Sequence, residues 1–486
     1  MKKKLLSGLF WVLLLNILIK PFWILGIEVG VQNAVGAEAY GFYFAIFNLS
    51  YIFNILLDLG ITNLNTRNIA QHPQLITKHL SGILSIKVLL LGLYSIITFS
   101  VGLLMGYDSQ QFYLLSWLCV NQFLNSLIIY LRSNFEGLLL FKTDSVLSIL
   151  DRVLMIVICG CLLWLPRTGN FQIMWFVYAQ TVAYAITASI ALVALFRQTG
   201  FNGIRWNRPF ALSVLRQSAP FALLVLLMAS YNRIDPVLIE RLLPDHVGSY
   251  EAGLYAGAFR LLDALTMIAY LVSIPLLPIY AKLTAQKQGP ERTKEIADTT
   301  RIVFSIMMVF AVTSAVTLSF LSQPLMDLFY KEHTEESARI FRVLIYGIVP
   351  ISFTYIFGTL LTANGSLKQL NILAATALIV NVVANIFLIP HLAAYGSAWA
   401  SLSAQSFMAV TQLVLALVIF SIRPSYGYVL RLGAFVVIVF VTNCLVETVS
   451  PLMHLIICGV VAVVSAFLLK LINVKELLQI LRSEEE

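Results

Sequence analysis

The chain is predicted to be all-α and polytopic, crossing a membrane about 14 times in two parallel six-helix lobes followed by two C-terminal helices. Three observations carry that prediction. Of 486 residues, 59% are apolar and only 12% are charged, against roughly 25% charged in soluble domains. The apolar residues gather in runs long enough for bilayer crossings of about 20 residues each. Finally, with the N-terminus placed in the cytoplasm, 22 of the 32 Lys and Arg fall in inner segments, 5 in outer segments and 5 within the membrane, the asymmetry of a chain with both termini inside.

The first run, 5–32, follows Lys2, Lys3 and Lys4. This start imitates a signal peptide, with Ala37-Glu38-Ala39 as its cleavage site, but Lys20, Pro21 and Glu28 intervene, so the run reads as a first transmembrane helix. The runs 41–63, 81–105, 111–131, 146–165 and 172–196 complete the first lobe. A second set of six occupies 213–242, 252–280, 302–323, 340–362, 369–390 and 395–420, and 427–447 and 452–471 close the chain. All should be helices, because a helix satisfies its own backbone in lipid and runs this long far exceed the strands of a membrane barrel. Cys119, Cys159, Cys161, Cys444 and Cys458 lie inside these runs and read as small packing residues rather than disulfides.

A shift of 212 residues superposes Glu28 on Glu240, Val35-Gly36 on Val247-Gly248 and Gly41-Phe42-Tyr43 on Gly253-Leu254-Tyr255. Both copies of V-G-x4-G-x-Y sit in the outer loop after the first helix of a six-helix set, so helices 1–6 and 7–12 read as parallel repeats. Expected boundaries are 1–200 for the N-lobe, 201–422 for the C-lobe and 423–486 for helices 13 and 14 with a cytoplasmic tail. Two such lobes imply a transporter working by alternating access. The net charge of +8 then reflects topology rather than nucleic-acid binding.

Charges deep in a span cost several kcal/mol unless they meet a wet cavity or a partner. Lys20 superposes on Asn232, next to Arg233, and Arg260 lies near the same depth, so these three cations suit a diphosphate or other anion. Lys87, Arg152 and Arg301 lie close enough to span ends to snorkel. All six histidines fall in loops or at span ends, leaving carboxylates to couple transport to an ion: Asp235 and Asp263 lie deep, and Asp58 lies near the inner end of helix 2. Asn121 with Asn125, and Asn381 with Asn385, place two amides on one helical face, either to bind sugar hydroxyls or to join helices. No metal-ligand spacing occurs, no cofactor is implied, and no G-x4-G-K-[ST] loop occurs.

Lys20-Pro21, Val31-Gln32-Asn33, Val35-Gly36, Tyr40-Gly41-Phe42-Tyr43, Leu56-Leu57-Asp58-Leu59-Gly60 and Arg67 resemble the N-terminal signature of the polysaccharide transporters. These are the oligosaccharide-lipid flippases of the multidrug/oligosaccharidyl-lipid/polysaccharide exporter superfamily. Asn232-Arg233-Ile234-Asp235 and Gly253-Leu254-Tyr255 resemble the start of their second lobe, and Asn381, Asn385, Pro390, Tyr395-Gly396 and Ala398 resemble its end. Two departures stand out: Pro236, where members often carry a basic residue, and His391-Leu392-Ala393-Ala394, where they often have a second glycine.

The resemblance implies flipping of an undecaprenyl-diphosphate-linked oligosaccharide across a bacterial inner membrane, for O-antigen, capsule or exopolysaccharide assembly. It also implies membrane lipid, a coupling H+ or Na+, and other polysaccharide-assembly proteins as partners. The alternatives are a multidrug exporter or a peptidoglycan-precursor flippase of the same superfamily. A cationic cleft disfavours the first, and charge does not separate the second. A membrane enzyme such as a polymerase or ligase of lipid-linked sugars would need an outer active site, yet the longest outer loop, roughly 324–339, is short.

Overall fold

A computed structural model describes residues 19, 21–62, 65, 66, 69, 74–138, 140–164, 171–199, 222–273, 275–285, 289–422 and 425–472. Among them there are helices and turns and no strand. In chain order the helices are α1 (Trp23–Leu57), α2 (Leu75–Leu104), α3 (Ser109–Gly137), α4 (Phe141–Trp164), α5 (Ile173–Thr199), α6 (Ala222–Arg233), α7 (Asp235–Leu242) and α8 (Asp245–Ser273). They continue as α9 (Leu276–Ala285), α10 (Pro290–Phe320), α11 (Ser322–Phe329), α12 (Thr334–Ala363), α13 (Leu367–Phe420), α14 (Tyr426–Val446) and α15 (Pro451–Leu468).

Eleven stretches are long and apolar enough to cross a membrane, and α6 with α7, bent by 50°, make a twelfth. Two of these stretches are each broken at one residue. Inside α1, Gly36 takes φ 83°, which glycine alone adopts freely. Inside α13, Ala393 takes φ 48° and ψ −135°. At 1.5 Å per residue the 54 residues of α13 measure about 81 Å, more than twice the roughly 30 Å apolar core of a bilayer. α13 is therefore two crossings, and its halves correspond to the expected 369–390 and 395–420. The break in α1 likewise separates 5–32 from 41–63, although residues 1–18 lie outside the described residues. Counted this way the described helices match the fourteen expected runs.

Several boundaries differ from the expectation: the helix over the span expected at 302–323 begins at Pro290, and that over 81–105 at Leu75. The span expected at 252–280 begins at Asp245, and that expected at 340–362 begins at Thr334. The loop expected near 324–339 is largely helical, with α11 followed directly by the start of α12. Polar residues hid these turns from a reading based on apolar runs. Local chemistry fixes other ends. Asp108 and Gln111 form a reciprocal capping box on α3, at 2.7 and 3.0 Å, and Pro290 and Pro451 occupy the first turns of α10 and α15.

The chain divides into two compact units, Met1–Gly253 and Leu254–Glu486. In the first, Tyr40, Tyr43, Leu49, Leu118, Tyr130 and Phe135 are buried between α1 and α3 and their neighbours. In the second, the terminal helices pack on α10 through Val309, Val312, Val316, Phe435, Val439, Ala462 and Ala466. A polar clasp crosses the same seam: Asn443 donates to the Thr317 hydroxyl at 3.3 Å, and the His454 ring lies 2.8 Å from the Asn443 carbonyl oxygen. Cys119, Cys159 and Cys458 are buried as expected of packing residues, whereas Cys161 and Cys444 are exposed.

Candidate transport site

Arg233 ends α6, and Asp235 opens α7 on the far side of the bend at Ile234. The Arg233 guanidinium lies over the Tyr51 ring, 5.3 Å from its centroid, a cation–π contact that holds the charge against α1. Asp235 is fully buried, with Pro236 beside it in the first turn. An acid in a helix's first turn lies next to unpaired backbone N–H groups and the positive end of the helix dipole. Thus the bend brings a cation and a buried carboxylate to one point of the first unit. Lys20, expected to stand with Arg233, lies outside the described residues.

Arg260 belongs to the second unit and is buried; its Nη1 donates to the Tyr330 hydroxyl at 3.4 Å, and that hydroxyl donates to the Gly257 carbonyl at 3.2 Å. Asp263 is half-buried one turn further along α8.

The asparagines make helix-to-helix bonds. Asn121 donates to the Val177 carbonyl at 3.3 Å and accepts from the Thr181 hydroxyl at 2.6 Å, joining α3 to α5. Asn125, one turn on, is half-buried. Asn385 donates to the Asn381 side-chain oxygen at 3.0 Å and accepts from the Ser397 hydroxyl at 2.7 Å, bridging the two halves of α13 across Ala393.

Lys87 does not snorkel. It is 1% exposed, and its ammonium donates to Asp58 Oδ1 at 2.7 Å, the Leu57 carbonyl at 3.0 Å and the Ser126 hydroxyl at 2.9 Å. Asp58 also accepts from the Thr62 hydroxyl at 2.5 Å. The chain turns here through Leu59 at φ 47° and Gly60 at φ 79°, which frees the Leu57 carbonyl from its helix and gives the ammonium a further acceptor. The sequence places Lys87 near a span end; only folding shows that the acid 29 residues earlier faces it.

A second charged group escaped the sequence reading as a site. α1 opens as one π-helical stretch, Trp23–Glu28, a feature frequent at functional sites. The Trp23 indole donates to Glu28 at 2.9 Å, Arg152 lies over the Trp23 ring at 5.5 Å, and Asp151 is 3.5 Å from the Arg152 guanidinium. The Trp23 ring stacks on Phe176 of α5 at 5.9 Å, and Tyr184 of α5 lies within electrostatic range of Arg152. Instead of snorkelling alone, Arg152 therefore sits within an aromatic and acidic cluster drawn from α1, α4 and α5. The only hint in the sequence is the coincidence of Glu28 with Glu240 on the 212-residue shift.

Residues 5–284 match the family described as polysaccharide biosynthesis protein. The chain belongs to that family. Residues 220–387 also match the MatE family, and together these place the chain among the transporters and flippases of the multidrug/oligosaccharidyl-lipid/polysaccharide exporter superfamily.

Solved structures share its fold. The lipid II flippase MurJ in an inward closed conformation matches with a TM-score of 0.63 at 14% identity, over 93% of this chain and 98% of its own. A multidrug resistance MATE family transporter in its inward-facing conformation matches at 0.59 and 15% identity, over 82% and 94%. A superfamily transporter from Pyrococcus furiosus, described as having a binding pocket of reverse polarity, matches at 0.59 and 15% identity, over 86% and 96%. These relatives are transporters and flippases rather than enzymes. No protein in the comparison with curated sequences matches the chain.

Proposed function

We propose that the protein flips an undecaprenyl-diphosphate-linked oligosaccharide across a bacterial inner membrane, from a chain with both termini in the cytoplasm, for O-antigen, capsule or exopolysaccharide assembly. The carrying observation is the bend between α6 and α7, where Arg233 lies on Tyr51 beside the buried Asp235. A guanidinium is the planar, forked cation that pairs best with phosphate oxygens. Lys20 and Arg260 are the further anion ligands in this reading, Asn125 is the amide available for sugar hydroxyls, and transport is coupled to H+ or Na+ through Asp235, with Asp263 and Asp58 as the other carboxylates. A multidrug exporter of cationic compounds fits such cations poorly. The fold of the lipid II flippase favours a second reading, a peptidoglycan-precursor flippase, whose substrate would also present a diphosphate.

The test is surface-glycan export in a deletion strain carrying variants, with protein level measured by immunoblot. Lys20→Ala and Arg233→Ala are each expected to lower export at unchanged abundance, and Lys20→Arg to restore part of it. Full export by the double alanine variant overturns the anion site. A deletion that arrests growth while surface glycan persists supports the peptidoglycan reading instead.

A further inference from the structure

The strongest unassigned feature lies in the second unit, where α14 and α15 pack on α10, at the other end of that seam from the Asn443 clasp. Tyr428, in the first turn of α14, is buried, and its hydroxyl lies 2.9 Å from the Ser305 hydroxyl on α10. The Arg301 guanidinium lies over the Tyr428 ring, 5.4 Å from its centroid. Arg431, one turn along α14, also lies within electrostatic range of the Tyr428 phenol. Phe304 steadies the group, packing on Tyr428 at 6.4 Å and on Phe353 and Phe357 of α12 at 4.9 and 5.8 Å. Two guanidinia from different helices are thus held against one buried ring.

Neither guanidinium has a counter-charge. Among the described residues Arg301 and Arg431 form no ion pair, although the exposed Asp298 lies one turn before Arg301. Arg431 Nε donates to the Gly427 carbonyl at 3.0 Å, which leaves its two Nη nitrogens for another acceptor. Lys470, exposed just past α15, adds a third cation at this end of the seam. Beside these charges α14 turns an apolar stripe outward, with Leu430, Val437 and Val441 73%, 60% and 47% exposed at helical spacing. Snorkelling accounts for a single cation at a span end. It does not account for two that converge on one phenol, where like charges repel unless an anion lies between them.

We propose that this end of the seam binds an anionic phospholipid, with the headgroup phosphate between Arg301 and Arg431 and an acyl chain along Leu430, Val437 and Val441. Basic pockets between spans on the cytoplasmic side take such headgroups, and the forked guanidinium suits a phosphodiester. This lipid is a resident of the protein and not its cargo. It bridges α10 to α14 and holds the terminal helices to their unit at the end that the Asn443 clasp does not reach. The inference takes from the transport reading only the orientation, which puts this end at the inner leaflet.

The test uses the full chain, delipidated in a neutral detergent, with bound lipid counted by native mass spectrometry and stability followed by thermal unfolding. Phosphatidylglycerol is expected to bind about twentyfold tighter than phosphatidylcholine of the same acyl chains, as two cations near the headgroup imply, and to raise the unfolding temperature. Arg301→Gln and Arg431→Gln should each weaken phosphatidylglycerol about fivefold, and together bring it level with phosphatidylcholine. Lys368→Gln, which removes an exposed cation at the start of α13, should change nothing. Equal affinity for the two lipids in the unaltered protein, or an undiminished preference in the double variant, overturns the site.

If the double variant fails to accumulate, the unaltered protein decides. Phosphatidylglycerol with a diazirine in its acyl chain should label α14 between Leu430 and Val441 more than the phosphatidylcholine counterpart does, and equal labelling overturns the proposal. Displacement of phosphatidylglycerol by equimolar inorganic phosphate or undecaprenyl phosphate also overturns it, since the site would then hold a free anion or the cargo. None of these measurements requires flipping. Loss of transport activity therefore bears on the proposed function alone, and binding in detergent stands whichever way the chain is oriented.

Discussion

Lys87 and Asp58 show what a buried charge requires of its surroundings. The ammonium has four acceptor atoms, on Leu57, Asp58 and Ser126, and Asp58, 21% exposed, has both a cation and a hydroxyl. Breaking such a pair by removing one partner is costly, whereas replacing both is often tolerated. Lys87→Met is expected to destabilise the detergent-solubilised protein by about 3 kcal/mol, seen as a lower unfolding temperature, and Lys87→Met/Asp58→Asn to recover most of that. If the double variant is stable and still responds to imposed gradients, Asp58 has no part in coupling. This pairing was not legible in the sequence, because composition shows that a charge is intramembrane but only folding shows which charge faces it. The same holds for Arg152, whose acid at 151 was in view while Trp23, Glu28 and Tyr184 come from other helices.

At the scale of the element, helix type and span number were legible because hydropathy and length dictate them in lipid. Where helices break was less so. Ala393 shows the reason: its φ of 48° with ψ −135° belongs to glycine, and nothing in an alanine announces it. Pro390 lies just before, and a Cβ on Gly396 would stand 2.6 Å from the Leu388 carbonyl oxygen, so the fold imposes the turn on a residue that resists it. The family resemblance had marked this stretch as lacking a glycine. Ala393→Gly should therefore relieve strain of about 1–3 kcal/mol, less the entropy of the new glycine, for a net gain of about 1 kcal/mol. Thermal unfolding checks it; no gain, or a loss, means that the alanine methyl packs usefully.

For the whole molecule, the basic asymmetry makes a prediction independent of any side-chain contact. An even number of crossings with the N-terminus inside places Glu486 in the cytoplasm, and a reporter fused there should be active only on that side. Reporter activity in the periplasm would mean an odd number of crossings and would invalidate the pairing of the repeats. The repeat itself was readable because V-G-x4-G-x-Y recurs at one spacing, although Gly36 breaks α1 whereas Gly248 lies within α8.

The Lys87 pair also bears on how the chain is made. A lysine within an isolated span costs up to about 2.5–3.5 kcal/mol at the helix centre on entering the bilayer from the translocon, and less toward a span end, and Lys87 has no acid within its own span. Asp58 leaves the ribosome first, 29 residues ahead, so it is already at the membrane when the lysine arrives. The end of α1 and the whole of α2 are therefore best inserted together as a hairpin, with the ion pair formed at the moment of lateral release, and Ser126 joins only when α3 follows. Asp58 then serves synthesis before it serves the finished protein, as the counter-charge that lets its neighbouring helix leave the channel.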